Sequence, residues 1–258
     1  MWQAEHTTTD DPSFDPKHFA MLADLEDKHF WFQSRNKLIV WAINKYFPVA
    51  QNFLECGCGT GCVLSNTEQN LPHLSLTGFD LYAEGLNYAA KKTHNVKLTT
   101  MDICNTTYKS EFDLIGAFDV IEHIQDDLLA LRNMHSMLKP SGGCIITVPQ
   151  HPHLWSTPDE IAYHKRRYTK TEIKKKLKAC GFKIIRITSF ISLLYPFMLI
   201  SRLKSKRSHQ NYNVDNELKI NRALNYCFAK TCNCENWLIR KGLSFPLGGS
   251  LLVVARKI

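Results

Sequence analysis

Short apolar runs alternate with segments of helical pattern along the middle of the chain. From about residue 52 the β-like runs read NFLEC, LSLTGFD, VKLTTMD, FDLIGAFD and GGCIITVP. Between them lie stretches of helical pattern such as CVLSNTEQNL, AEGLNYAAKK and DDLLALRNMHSML. Regular alternation of this kind produces β-α-β crossovers and a mostly parallel sheet with helices on both faces. The pattern therefore predicts a doubly wound α/β fold.

The two ends of the chain depart from this alternation. Residues 1–48 are predicted to form an N-terminal helical lid, and residues 49–189 the α/β core. An apolar piece, a basic piece and a helical piece follow in residues 190–240, which are predicted to be a helical insertion that faces a membrane or the substrate. The run GGSLLVVARKI, within residues 241–258, predicts a final strand, so the predicted sheet has seven strands.

Turn and cap signals mark the second half of the core. LKPSGG, residues 138–143, reads as the end of a helix followed by a turn, and Pro149 ends the fifth strand. The next segment, QHPHLWSTPDEIAYHKRRY, is a loop of nearly twenty residues, and loops of that length inside a compact domain are usually functional. Thr169 to Glu172 form a capping box that starts a helix, and Gly181 ends that helix.

Composition indicates a soluble protein in a reducing compartment. With 258 residues, 44% of them hydrophobic, the chain can bury one substantial core. The sequence lacks a secretory signal and a run of about 18 apolar residues, so a cytoplasmic location is expected. Nine cysteines lie mostly inside apolar runs, as reduced thiols do. Cys227, Cys232 and Cys234 lack paired C-x-x-C spacing, which disfavours a structural zinc site.

The charges are unevenly distributed. Residues 1–163 hold 11 Lys and Arg against 20 Asp and Glu, a net charge of −9, whereas residues 164–258 hold 21 against 4, a net charge of +17. This asymmetry favours contact with nucleic acid, a membrane surface or a phosphorylated substrate, and a solvated basic face is the alternative. The apolar run FISLLYPFMLI leads into the basic residues Arg202, Lys204, Lys206 and Arg207. Residues 190–207 therefore suit peripheral membrane contact, or burial against the insertion.

The stretch NFLECGCGTGCVL places three glycines at alternate positions behind an apolar run. A dinucleotide fingerprint, G-x-G-x-x-G/A, would need a small residue where Cys62 stands, so that fit is imperfect. The pattern acid-x-G-x-G-x-G fits completely and consists of Glu55, Gly57, Gly59 and Gly61. Glycines let the main chain approach a compact ligand, and a carboxylate beside them suits an ammonium group but repels a pyrophosphate.

Two further acids end the next predicted strands. Asp80 ends the second strand, where doubly wound folds place a carboxylate that accepts bonds from ribose hydroxyls. Asp102 ends the third strand. Together with Glu55 these acids end three consecutive strands beside a glycine loop. This arrangement indicates a nucleoside site rather than unrelated acidic residues on the protein surface.

These residues resemble motif I of the class I S-adenosylmethionine (SAM)-dependent methyltransferases, a family with a Rossmann-like fold. The resemblance implies SAM as the cofactor, with Asp102 accepting from the adenine amino group and Ile103 packing on the ring. FDVIEHIQDD resembles motif IV of the branch that includes ubiquinone-biosynthesis O-methyltransferases and many bacterial small-molecule methyltransferases. The cofactor contacts expected on this basis are Glu55, Gly57, Cys58, Gly59, Gly61, Asp80, Leu81, Asp102, Ile103 and Phe118.

A second resemblance covers the loop after the fifth strand. VPQHPHLWSTPDEIAYHKRRYTKTEIKKKLKACGF is similar to bacterial SAM-dependent methyltransferases of polysaccharide, glycolipid or secondary-metabolite pathways. HFWFQSRNKLI resembles the lid of the same family, in which Trp31, Phe32 and Arg35 would cap the cofactor. Ser141 departs from the family pattern, which often has glycine there.

Two histidines are expected to act on the acceptor, because an imidazole near neutral pKa can take a hydroxyl proton. They are His123 in EHI and His164 in YHKRRY; the alternatives are a ring packed near the cofactor and a solvated loop residue, respectively. Asp119, Glu122 and His123 are spaced so that they could share a helical face. Without a further ligand in the sequence we assign no metal to them.

The same loop supplies the expected substrate contacts. Arg166 and Arg167 suit a phosphate or carboxylate, because guanidinium groups match planar anions. Trp155 and Tyr168 suit an aromatic or sugar ring. The alternative is that one arginine pairs with the acids at 159–160 and holds the loop shut.

The sequence therefore predicts a SAM-dependent methyltransferase that acts on oxygen of a small-molecule, sugar-containing or lipid-linked acceptor. An RNA methyltransferase would use the basic C-terminal half, but the D/N/S-P-P-Y/F loop and a Pro-Cys dipeptide are absent from the sequence. A non-catalytic SAM-binding protein is the third hypothesis. The acceptor and the oligomeric state stay open.

Overall fold

A computed structural model of the chain describes residues 14–207 and 220–258. Its centre is a sheet of seven strands, β1 Asn52–Cys56, β2 Ser75–Asp80, β3 Val96–Thr100, β4 Phe112–Phe118, β5 Leu138–Pro149, β6 Phe182–Phe190 and β7 Ser250–Lys257. The strand order is β3-β2-β1-β4-β5-β7-β6. The first five strands of the chain pair in parallel, and β7 runs antiparallel between β5 and β6. The predicted doubly wound, mostly parallel seven-stranded sheet is confirmed.

Helices cover both faces of this sheet. They are α1 His18–Leu25, α2 Phe30–Tyr46, α3 Cys62–Asn70, α4 Ala83–Lys92, α5 Asp127–Met137, α6 Thr157–Ile161, α7 Lys170–Ala179, α8 Tyr195–Arg207 and α9 Arg222–Arg240. One apolar cluster holds Leu38 of α2, Leu64 of α3 and Ile239 of α9. The other cluster, on the opposite face, holds Met134 of α5 and Leu177 of α7. Because its side chains are buried on both faces, β4 reads as the nearly continuous apolar run FDLIGAF.

Strand order reverses between β1 and β4, because the chain winds outwards from β1 in one direction and from β4 in the other. In open α/β sheets, ligands bind at such a switch point, outside the carboxyl ends of the strands. The glycine loop follows β1 and the DVIEH segment follows β4. The topology therefore brings these two segments to the same edge of the sheet.

At the ends of α7, the structure shows one of the two hydrogen bonds of the predicted capping box and the predicted glycine stop. The Thr169 hydroxyl accepts a hydrogen bond from the Glu172 amide at 3.1 Å. Gly181 follows the helix with φ +83°, a left-handed conformation that favours glycine. LKPSGG differs from the expectation, because the structure places it at the irregular start of β5 rather than in a separate turn. Ser141 has φ +63°, and the extra residues form a bulge opposite the beginning of β4.

The insertion and the N-terminal helices pack together. The Asn225 side chain of α9 accepts from the Phe30 amide and donates to the Lys28 carbonyl. Further along α9, the buried Asn236 side chain donates to the Ser34 carbonyl of α2. Residues 1–13 of the predicted lid and 208–219 of the insertion lie outside the described residues, as do the side chains of Lys204, Lys206 and Arg207. In the described part of the chain, no helix is both long and apolar enough to cross a membrane.

Candidate active site

A cavity of about 780 Å³ opens at the switch point of the sheet. Its floor consists of residues after β1, β2 and β4, and side chains of α1, α2 and α8 form its walls. That volume lies within the range of roughly 300–1,000 Å³ that is typical of small-molecule sites. The cavity is the candidate active site.

The glycine loop borders this cavity with main chain. Gly57 and Gly59 both line it and both have positive φ, +65° and +50°. A side chain at Gly57 would meet Val120, because its Cβ would lie 2.7 Å from a Val120 methyl group. The positive φ and the close approach of Val120 therefore require glycine at position 57, and the loop presents main chain to the cavity.

Gly61 does not line the cavity, contrary to its expected place among the cofactor contacts. It precedes α3 with φ +77°, and a Cβ there would lie 2.8 Å from the Cβ of Ala89 in α4. Gly61 is therefore small because two helices pack closely. The alternating spacing of the three glycines does not distinguish this packing role from that of the two glycines that line the cavity.

Two buried carboxylates face the cavity beside the loop. Glu55 is 3% exposed, and its Oε2 accepts no hydrogen bond from the described residues. Burial raises the pKa of Glu55 well above its usual range. The arrangement suits a cationic ligand group, because such a group would satisfy the oxygen and favour its ionised form.

Asp80 is held by the protein's own amides. Its Oδ2 accepts from the Gly59 amide at 2.7 Å and its Oδ1 from the Tyr82 amide at 2.9 Å. Burial raises the pKa of Asp80 to about 6, even though these hydrogen bonds favour the ionised form. Since a carboxylate offers about four acceptor positions, Asp80 can still accept hydrogen bonds from a ligand.

The remaining expected cofactor contacts converge on the same space. Cys58, Leu81, Asp102, Ile103 and Phe118 all line the cavity. Ile103 is buried at 5% exposure, whereas the Asp102 carboxylate accepts from the Cys104 amide at 2.8 Å. Three strand ends therefore contribute to one cavity, and their contact with a cofactor stays a prediction.

Arg35 closes the cavity from the N-terminal side. Its guanidinium lies 2.6 Å from the Asp119 carboxylate, which also accepts from the Thr147 hydroxyl. The same guanidinium stacks over the rings of Trp31 and Phe32, at 4.7 and 5.5 Å from their centroids. These residues, which were expected to cap the cofactor, line the cavity together and attach α2 to the end of β4.

Both candidate histidines lie in the cavity. The His123 and His164 ring centroids are 4.7 Å apart. His164 Nδ1 lies 2.9 Å from Oδ1 of Asp159, a carboxylate that is 1% exposed. This contact fixes the imidazole ring and leaves Nε2 as the nitrogen that can accept a proton.

Glu122 completes this group of polar side chains. It is fully buried, and neither carboxylate oxygen has a hydrogen-bond partner among the described residues. Burial raises its pKa well above the usual range, although the charges of Arg167 and Arg35 act in the opposite direction. Glu122, His123 and His164 offer ligand atoms within 4.8 Å of one another, so tertiary folding supplies a third metal-ligand candidate in place of Asp119.

Only one of the four expected substrate residues, Arg167, lines the cavity. Its Nε also donates to Asp159 at 2.7 Å. Arg167 therefore also forms the pairing with a loop acid that was the alternative to substrate contact. Burial alone would raise the pKa of Asp159, but the His164 contact and the Arg167 charge hold it below its usual range.

The other three residues stabilise the loop. Arg166 lies 3.1 Å from the Asp127 carboxylate, which also accepts from the fully buried Tyr168 hydroxyl at 2.7 Å. The Trp155 indole donates to Glu160 at 3.3 Å. These positions do not fit the expected contacts of Trp155 and Tyr168 with a substrate ring or of Arg166 with a substrate anion. All three side chains contact other residues of the protein instead of lining the cavity.

Sequence reasoning missed the contact between Asp159 and His164. Asp159 was considered a partner for an arginine, and its contact with His164 depends on the fold of the loop around α6. The insertion was expected to face a membrane or the substrate, but no cavity residues were named in it; they are Ile191, Leu194, Phe197, Met198 and Phe228. The first four lie in the apolar run FISLLYPFMLI, whose character was the available signal, and Phe228 lies in α9.

Comparison with known proteins agrees with this geometry. A family model described as a methyltransferase domain matches residues 22–187, which is more than half of the chain. The chain is similar to the ubiquinone biosynthesis O-methyltransferase of Albidiferax ferrireducens, with 27% identity over 154 residues, 53% of this chain and 60% of that protein. It is also similar to phosphoethanolamine N-methyltransferase 3 of Arabidopsis thaliana, with 29% identity over 122 residues, 45% of this chain and 25% of that protein. The matches thus span only part of the length of these relatives.

Solved structures share the fold at low sequence identity. A putative methyltransferase in complex with the Haloferax volcanii Trm112 activator has a TM-score of 0.63 and 14% identity, over 97% of this chain and 99% of that chain. Phosphoethanolamine N-methyltransferase 2 of Haemonchus contortus, in complex with SAM, has a TM-score of 0.58 and 18% identity, over 88% of this chain and 52% of that chain. Because the family match extends from the lid through the cavity-forming strands into β6, the chain belongs to the class I SAM-dependent methyltransferase family.

Proposed function

We propose that the protein binds SAM in this cavity and transfers its methyl group to a hydroxyl oxygen of a small-molecule, sugar-containing or lipid-linked acceptor. One observation carries the proposal: a single cavity joins the carboxylates of Glu55 and Asp80 to the imidazole of His164. One part of the cavity has the groups that a sulfonium nucleoside requires, and another part has a proton acceptor.

The cofactor side of the cavity fits SAM, which supplies a methyl group on a positively charged sulfonium. The unsatisfied Oε2 of Glu55 suits the ammonium group of the cofactor's amino-acid part. Asp80 suits the two ribose hydroxyls, and Asp102 and Ile103 suit the adenine amino group and ring. Arg35, held by Asp119, covers this side and excludes water.

His164 is the proposed general base. Asp159 holds its Nδ1, so that Nε2 accepts the hydroxyl proton while the new carbon–oxygen bond forms. Positioning and desolvation supply much of the rate of methyl transfer, and a base matters mainly when the acceptor is a hydroxyl. His123 lies on the same wall and is the second candidate for proton transfer. Arg167 lies close enough to the cavity to contact an anionic group of the acceptor.

The relatives support oxygen and nitrogen as acceptor atoms. The Albidiferax relative is named an O-methyltransferase, whereas the Arabidopsis relative is named an N-methyltransferase. The His164–Asp159 pair favours oxygen, because a neutral amine can attack without a base. The excess of positive charge in residues 164–258 supports RNA as an alternative acceptor.

Transfer of labelled methyl from SAM to fractionated cell extracts tests the proposal. We expect label in a small-molecule or lipid fraction, and the label should be alkali-stable, as in an ether. His164→Ala should lower the rate at least about 100-fold with SAM affinity retained, because only the base is removed. Glu160→Gln, at an exposed acid of the same loop, is the matched control.

Three outcomes would contradict the proposal. Label in RNA alone would indicate an RNA methyltransferase. SAM binding without label in any fraction would indicate a non-catalytic SAM-binding protein. Absence of SAM binding by folded protein would remove the cofactor assignment itself.

A further inference from the structure

The first turns of α8 and the turn before it carry exposed apolar side chains next to the cavity. Phe197 and Ile200 lie three residues apart in α8 and so follow one helical face, and Leu193 lies in the turn that precedes the helix. They are 40%, 61% and 53% exposed. Single exposed apolar residues are ordinary, but a row of them beside a binding cavity is typical of an interaction site.

This apolar surface continues into the cavity and onto α9. Phe197 lines the cavity although it is mostly exposed, and its ring contacts the Phe228 ring at 6.0 Å between centroids. Near the start of α9, Leu224 is 41% exposed and lies one helical turn before Phe228, on the same face of the helix. We call the four exposed residues Leu193, Phe197, Ile200 and Leu224 the apolar rim. An apolar molecule moving from outside past Phe197 would meet apolar walls all the way.

Basic residues follow the apolar rim along α8. Lys204 and Arg207 occupy positions of this helix that continue the spacing of Phe197 and Ile200. These residues belong to the part of the chain that carries a net charge of +17. An apolar surface beside basic groups complements a layer of anionic headgroups, whereas a protein partner would need no such charge.

We propose that the apolar rim rests on an anionic lipid surface and that the acceptor is an amphiphile from that surface. Its apolar part lies along Phe197 and the inner walls from α8 and α9, while its hydroxyl reaches His164. The inference rests on the proposed methyl transfer and specifies the class of acceptor.

Sedimentation of the full chain with vesicles tests the contact. Vesicles of phosphatidylcholine alone are compared with vesicles containing phosphatidylglycerol, at low salt. We expect at least about tenfold more bound protein on the anionic vesicles, with most of it released at about 0.5 M salt. The double variant Leu193→Glu, Ile200→Glu should lose about tenfold or more of the binding, since two apolar contacts are replaced by charges.

The controls separate this inference from the proposed function. Neither Leu193 nor Ile200 lines the cavity, so the double variant should bind SAM with unchanged affinity. Val49→Glu is the control, because Val49 is 88% exposed and lies three residues before β1, at the opposite edge of the sheet from the cavity. It should bind vesicles like the parent protein.

The vesicle inference is overturned by equal binding to both vesicle types, by absence of binding, or by an equal loss in the Val49 variant. A stable dimer that the Leu193 and Ile200 changes disrupt, with no vesicle binding, would assign the rim to a second copy of the chain. Label recovered only in water-soluble products would contradict the amphiphilic acceptor and leave methyl transfer standing. Loss of SAM binding in the parent protein would instead contradict the proposed function.

Discussion

Asp80 is a buried carboxylate that the proposed cofactor site needs in its ionised form. Its pKa of about 6 lies above the value near 3.9 of an unfolded aspartate. The protonated form is therefore favoured in the folded state, so this group's contribution to stability is fully present below about pH 4. It is lost as the pH rises through about 6, where Asp80 ionises in place. In the proposed complex, hydrogen bonds from the ribose hydroxyls offset the cost of the buried charge.

This shift predicts pH-dependent cofactor binding. SAM affinity should fall towards tenfold per pH unit as the pH drops through about 6, because protonated Asp80 no longer accepts two charge-assisted bonds. Calorimetry between about pH 5 and 8 measures the dependence. Asp80→Asn should bind about 1–3 kcal/mol more weakly and show less pH dependence. Unchanged affinity in that variant would mean that the ribose lies elsewhere.

In the proposed reaction, Asp159 acts through His164 and is a positioning residue. Asp159→Asn should lower kcat by roughly 10- to 100-fold and leave SAM affinity unchanged, because the imidazole loses its charged partner. The loss should fall on kcat rather than on KM for the acceptor, because the imidazole is no longer held in the orientation that accepts the proton. A rise in KM with unchanged kcat would argue against this positioning role.

The group of Glu122, His123 and His164 predicts the effect of chelators. Two guanidinium groups act on Glu122, and their positive charges disfavour a cation there. We expect methyl transfer to continue after treatment with EDTA and removal of the chelator. Loss of activity that Mg²⁺, Mn²⁺ or Zn²⁺ restores would assign a metal to these three residues.

Among the secondary-structure elements, α2 matters most to the site because Arg35 links it to the end of β4. The two side chains of the Arg35–Asp119 pair are 9% and 19% exposed. Arg35→Ala should lower the free energy of unfolding by about 2–4 kcal/mol, because it leaves a poorly solvated carboxylate without its partner. Thermal denaturation with and without SAM measures this loss and the expected weaker stabilisation by the cofactor.

A matched control lies on the same helix. Lys37 is exposed, and its ammonium donates a hydrogen bond to the Asn233 side chain at the protein surface. Lys37→Ala should change stability by less than about 0.5 kcal/mol. An Arg35→Ala protein as stable as this control would show that α2 is held by its apolar face alone.

At the scale of the whole molecule, the charge asymmetry makes RNA binding a direct test between acceptor classes. We expect only weak tRNA retention in filter binding, falling steeply between about 50 and 200 mM salt and giving no labelled product. Such binding is typical of a basic surface that contacts phosphates without recognising nucleobases. Tight retention at physiological salt, with methyl label in the RNA, would contradict the amphiphilic acceptor.

The sequence by itself determined the fold class and most of the cofactor side. Alternation of apolar and helical segments depends on local periodicity, and the acids at the ends of the strands follow directly from strand positions. Glu55, Asp80 and Asp102 therefore converge in the structure as their spacing indicated. These residues lie on or directly after parallel strands, whose carboxyl ends must meet at one edge.

Only the tertiary structure decided the contacts of side chains that lie away from the ends of the parallel strands. Gly61 separates two helices, Tyr168 is buried beside Asp127, and His164 is oriented by Asp159. Each of these contacts depends on how a helix or an irregular loop packs against a distant element, and sequence periodicity contains no information on that packing. The same holds for Phe197, whose position at the cavity entrance depends on the packing of the insertion against the core.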